Sequence, residues 1–171
     1  MAIAQSRLAR KHFARRWRPQ VALTSSKLED VDTSPVDPTQ VVLGDEDSGV
    51  FTFDFNLDFS GGNFNAAASN FSITKVHNHN NDVDGSIGDA DNVDWTDATT
   101  LNGVSYPAGL LFVNEDSGTG NGETWLSRPD GSDLTKIADN VGIATATEST
   151  GVLDISKLVG YLPGSIVLTA N

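Results

Sequence analysis

The sequence predicts an all-β protein, a partial β-propeller of two to three blades built from antiparallel sheets. Three features of the chain point there: short apolar runs punctuated by Gly, Asn, Asp and Ser, a clear period-two alternation, and an internal repeat of strand and turn. Gln40-Val41-Val42-Leu43 reads as one strand. Val50 to Phe55 alternates with period two, so Phe51, Phe53 and Phe55 share one face. Phe71 to Val76, Gly109 to Val113 and Thr124 to Ser127 read as three more strands. The turn signal Arg128-Pro129-Asp130-Gly131-Ser132 leads into Leu134-Thr135-Lys136-Ile137, and Ile166 to Thr169 reads as the last strand. Leu153 to Leu158 is the one stretch of the body with the character of a short helix.

The repeat has two elements. Glu46-Asp47-Ser48-Gly49 recurs as Glu115-Asp116-Ser117-Gly118, an offset of 69, and Glu148-Ser149-Thr150-Gly151-Val152-Leu153 is a looser third copy. Upstream, Glu29-Asp30-Val31-Asp32 precedes the first copy as Asp91-Asn92-Val93-Asp94 precedes the second. The unit is an acidic first strand, a loop, an apolar strand, an acidic turn and another strand. A repeated four-stranded unit is how a propeller blade reads in sequence. Blades of about 40–50 residues give two to three here, whereas propellers close with about four or more, so the expectation is a fragment of a larger propeller. A sandwich is the alternative way to close such sheets.

The 171 residues suffice for one domain, with 11 Lys+Arg against 23 Asp+Glu and a formal charge of −12. The charge is unevenly spread. Residues 1–27 form a basic segment with seven Lys or Arg and no acid, expected to be disordered or a short helix from Ala2 to Trp17. Its Arg15-Arg16 lacks the long apolar core of a secretory or twin-arginine signal, and a non-native or miscalled start accounts for it better than a transit peptide does. Residues 28–171 form the acidic β domain, with four basic residues against all 23 acids, a net of −19. Such a surface argues against a nucleic-acid partner. No apolar run approaches the roughly 18 residues of a membrane span, and cysteine is absent, which removes disulfides and thiolate ligands.

An acidic domain without thiols makes a hard cation the first ligand to consider, and calcium takes six to eight oxygens. The candidate metal ligands are Glu29, Asp91, Glu115 and Glu148, each opening one of the repeated elements. Against this stands the preference of Asp and Asn for solvated turns. Asp82 to Asp89 lacks the third acid and terminal Glu of a calcium loop, and His77-Asn78-His79 reads as a loop pair rather than a metal site. Ser48 and Ser117 sit in no Gly-x-Ser-x-Gly elbow, and there is no phosphate-cradling glycine loop. Trp95 and Trp125 are expected in the core. No residue is assigned a catalytic role on this basis.

Lys27-Leu28-Glu29-Asp30-Val31-Asp32-Thr33-Ser34-Pro35, Gln40 to Leu43 and Gly49 to Asp54 together resemble the C-terminal half of PhoX-type alkaline phosphatases. The resemblance continues through Ala90 to Trp95, Gly109 to Asp116, Trp125 to Gly131 and Glu148 to Ser156, covering about Lys27 to Asn171. It implies a periplasmic or extracellular, calcium-dependent phosphomonoesterase on a propeller, with calcium and iron at the channel acting on a phosphomonoester substrate by metal-assisted hydrolysis. It carries Glu29 and Asp91 over as metal ligands, with Glu115 and Glu148 as weaker transfers. The family's N-terminal half, with its signal, its cysteine ligand and further acids, has no counterpart in these residues. The chain is therefore expected to be inactive alone, with the missing propeller half as a partner. A propeller esterase or phytase, a non-enzymatic extracellular calcium-binding β module and a nonfunctional gene fragment are the rival readings.

Overall fold

A computed structural model describes residues 25, 27–79, 86–116, 122–139 and 151–170. Most of the basic segment, Asp82 to Gly85, Ser117-Gly118 and Glu148 lie outside the described residues. The architecture is all-β. The first sheet is an antiparallel meander, β1 (Leu28–Thr33), β2 (Gln40–Asp45), β3 (Gly49–Asn56) and β4 (Asn70–Asn78), in that order. The second begins with β5 (Ala90–Trp95), is interrupted by the hairpin β6 (Thr99–Leu101) and β7 (Val104–Tyr106), and continues through β8 (Leu111–Glu115), β9 (Glu123–Ser127) and β10 (Thr135–Asp139). A third sheet consists of β11 (Gly151–Asp154) paired with β12 (Val167–Ala170). The sheet is not closed among the described residues.

The first two sheets repeat each other in detail. Val31 pairs with Leu43 and Leu43 with Phe51, which pairs with Lys75; in the second sheet Val93, Val113, Trp125 and Lys136 form the same rung. The lysine caps the aromatic ring in both, 5.1 Å from the Phe51 centroid and 5.9 Å from that of Trp125. β-bulges recur as well, at Glu29 on β1 and at Asp91-Asn92 on β5, then beside Lys75 on β4 and Lys136 on β10. Strand pairing shifts the sequence repeat by one residue. Leu28 opposes Asp45 as Ala90 opposes Glu115, so Glu115 corresponds to Asp45 rather than to Glu46.

The acidic turn after β2 forms because the Asp45 carboxylate accepts the Asp47 N–H at 3.1 Å and its carbonyl accepts that of Ser48 at 3.2 Å. Gly49 completes it with φ +111°, where a Cβ would lie 2.3 Å from the His77 carbonyl oxygen. The Arg128–Ser132 turn closes likewise, with Asp130 accepting from Ser132 N–H at 2.9 Å and from its hydroxyl at 2.6 Å.

The sheets stack through alternate faces. Val42 and Val50 of the first sheet meet Val93, Trp95, Leu111, Val113 and Trp125 of the second, all at most 4% exposed. Both tryptophans are therefore core residues. Each fully buried aliphatic side chain there contributes about 1.5–3 kcal/mol. The opposite face of the second sheet carries Phe112 and Asn114; Asn114 Nδ2 donates to the Gly151 carbonyl at 2.6 Å. β11 thus packs on the second sheet as that sheet packs on the first, which places Val152 and Leu153 on a strand stacked like β1 and β5. Residues 148–150 of the third copy lie outside the described residues.

The stretch Leu153 to Leu158 is not a helix throughout. It divides into the end of β11 and a 3₁₀ turn, Ser156–Val159. Asp154 causes the break: its carboxylate accepts Ser156 N–H at 2.9 Å and Gly164 N–H at 2.8 Å, anchoring the turn and the return to β12.

Candidate functional site

β1 and β5 bring their acids to equivalent places. Glu29 sits on the β1 bulge, with Lys27 Nζ 3.8 Å from its Oε1. Lys27 also pairs with Glu46, so one ammonium serves both carboxylates. Asp91 sits half-buried on the β5 bulge. Its backbone comes close to β2, where a Cβ on Gly44 would lie 3.1 Å from the Asp91 carbonyl oxygen. Bulges re-aim side chains next to sites, and here they do so at the same point of two copies.

Glu115 occupies a different environment at the end of β8. It is 5% exposed and accepts the backbone N–H of Gly88. Burial pushes its pKa up to about 7; the Glu123 and Asp89 charges push the same way, and the Gly88 N–H opposes them. The Trp125 indole N–H is buried without reaching full hydrogen-bond geometry, yet draws the Glu115 pKa down slightly. Glu148 lies outside the described residues.

The two histidines part company. His77 is not a loop residue but a buried member of β4, its Nε2 2.9 Å from Ser127 Oγ across the sheets. Burial lowers its pKa. His79 turns to Asp89, with Nδ1 3.5 Å from Oδ1. They are not set as a metal pair.

A second group of acids, missed as functional in the sequence, joins the sheets. Asp30 Oδ2 accepts Val93 N–H at 3.2 Å, Asp32 Oδ2 accepts Trp95 N–H at 2.7 Å, and Asp94 Oδ2 accepts Asp154 N–H at 2.7 Å. Each first strand thus uses carboxylates to satisfy the N–H groups of the next first strand, which would otherwise be buried unpaired. Burial raises the Asp94 pKa to about 6, Asp154 N–H lowers it, and the nearby charges of Asp32, Asp154 and Asp30 raise it further. The signal was present in the Asp-Val-Asp pattern, whose alternate positions share one face.

A cleft of 530 Å³ opens between the polar end of the first sheet, at Thr52, Asp54 and Thr74, and the segments around Tyr106 and Arg128. Arg128 lies 4.5 Å over the Tyr106 ring, and its Nε donates to Asp133 Oδ2 at 2.6 Å, so its charge is already matched.

Among the described residues no three His, Asp or Glu side chains are grouped as a metal ion requires. Glu29 and Asp91 place one carboxylate at each bulge, short of the six to eight oxygens that calcium takes. Nor is any helix among the described residues long and apolar enough to cross a membrane. No protein-family model, curated protein or solved structure matches this chain.

Proposed function

We propose that the acidic β domain is a propeller-type segment of a calcium-dependent phosphomonoesterase resembling the PhoX-type alkaline phosphatases, and that it contributes acidic ligands, Glu29 and Asp91 first, to the metal site. The observation that carries this reading is the coincidence of Glu29 and Asp91 with matching bulges on the first strands of two repeated sheets. Sheets stacked first strand beside first strand are also how propeller blades pack. Calcium would offset phosphate charge and polarise the ester there. The chain's own residues would hold the ion and keep neighbouring carboxylates engaged in the sheets. Iron would belong to the complete protein, outside the residues described.

A second reading, a non-enzymatic calcium-binding β module, would use the same bulge acids, Glu29 and Asp91, without catalytic geometry. One experiment separates the two: thermal unfolding with and without calcium, followed by hydrolysis of a simple phosphomonoester. Calcium at a hundredfold excess over Kd stabilises by about 2.7 kcal/mol. The phosphatase reading expects that gain, its loss in Glu29→Ala, and calcium-dependent turnover once the remaining ligands are supplied by the parent protein. Stabilisation without turnover in the parent favours the module. No stabilisation removes both readings.

A further inference from the structure

The first sheet has a face whose counterpart in the second sheet is an internal interface. In the second sheet the rung Val93, Val113 and Trp125 is at most 4% exposed because the first sheet covers it. In the first sheet the equivalent rung is buried at Phe51, 6% exposed beside Lys75, but opens at its β1 edge, where Val31 is 59% exposed. The same face continues along β3 and β4, where Phe53 and Phe55 stack at 5.9 Å and Phe55 meets Phe71 at 6.0 Å; Phe71 is 52% exposed. At the other end of the stack, Val152 turns onto the second sheet, while Leu153 and Leu168, paired across β11 and β12, are 51% and 54% exposed. The two ends are therefore the two halves of one kind of contact, which the molecule makes twice within itself.

We propose that the occupant of the outer face of the first sheet is a second copy of this chain, seated through the outer face of its β11–β12 sheet. The contact is heterologous, head to tail, and continues the internal stacking of sheet upon sheet. Heterologous contacts make rings where the rotation closes and open chains where it does not. The contact buries aliphatic side chains on both sides, and apolar patches of this sort are uncommon on solitary proteins.

The test is the mass of the full chain by light scattering and sedimentation across a concentration series, in chelator so that the outcome is independent of calcium binding. The expected result is a mass that rises above the monomer with concentration. Val31→Arg and Leu168→Arg alter exposed side chains, so each variant keeps the wild-type circular dichroism and unfolding transition while becoming monomeric. Mixed together, they restore one good head and one good tail and form a one-to-one dimer. A wild-type protein that stays monomeric across the series overturns the proposal. So does association that survives either variant. Variants that are monomeric alone and remain so when mixed show a symmetric contact and overturn the head-to-tail arrangement.

Discussion

The first and second sheets are two copies of one unit in different surroundings. They share the apolar rung, the lysine over the aromatic ring and the paired bulges. They differ at the residue before the first strand. The first sheet has Lys27 there, bridging Glu29 and Glu46; the second has Asp89, whose charge adds to the burial of Glu115. They differ also in cover, since Val93 is 4% and Val31 59% exposed. The lesson is that pattern specifies the sheet, whereas neighbours set its burial and the state of its acids.

Core substitutions test that difference most strongly. Trp125→Ala is expected to cost about 3–5 kcal/mol in chemical denaturation. Its counterpart Phe51→Ala should cost less, because the Val31 edge of its rung is 59% exposed where Val93 is 4%. Equal losses would break the comparison.

The next effect is on pH dependence. Glu115 has a folded pKa of about 7, above the ordinary 4.5, so its contribution to stability is fully present below pH 4.5 and lost as pH rises through 7. The wild type should lose about 3 kcal/mol over that range relative to Glu115→Gln. Asp94, with its pKa raised to about 6, acts in the same direction. Denaturation midpoints measured at pH 4.5 and 8 check this; parallel profiles for wild type and variant would refute it.

The carboxylate links come third. Asp32→Ala strands the Trp95 N–H and should cost about 1–3 kcal/mol. Asp94→Ala should cost less, since it also relieves repulsion from Asp32, Asp154 and Asp30. Measured in one denaturant series, the reverse order would mean that the repulsion is slight. Smallest is Val31→Ala, expected within about 0.5 kcal/mol for the monomer at low concentration, against a plainly larger loss for Val93→Ala.

The apolar strands were legible because alternation and turn residues mark them, as in Val50 to Phe55. β1 and β5 were visible only as a repeat, since their alternate acids disguise strands whose carboxylates bond the backbone of the next sheet. β6 and β7, three residues each, are too short to show a period. Leu153 to Leu158 misled because its apolar spacing suits a helix, while Asp154 ends the strand through bonds to residues up to Gly164. Of the site, the equivalence of Glu29 and Asp91 was readable from their motifs. The bulges beneath them, the separate burial of Glu115 and the role of His77 depend on strand register and sheet stacking, which local sequence does not encode.

The most direct measurement is a calorimetric calcium titration of wild type, Glu29→Ala and Asp91→Ala, with Glu115→Gln as the control. The account predicts saturable binding by the wild type, comparable weakening in both bulge variants, and little change in the control. No binding heat in the wild type, or weakening by Glu115→Gln alone, would contradict the placement of calcium at the paired bulges.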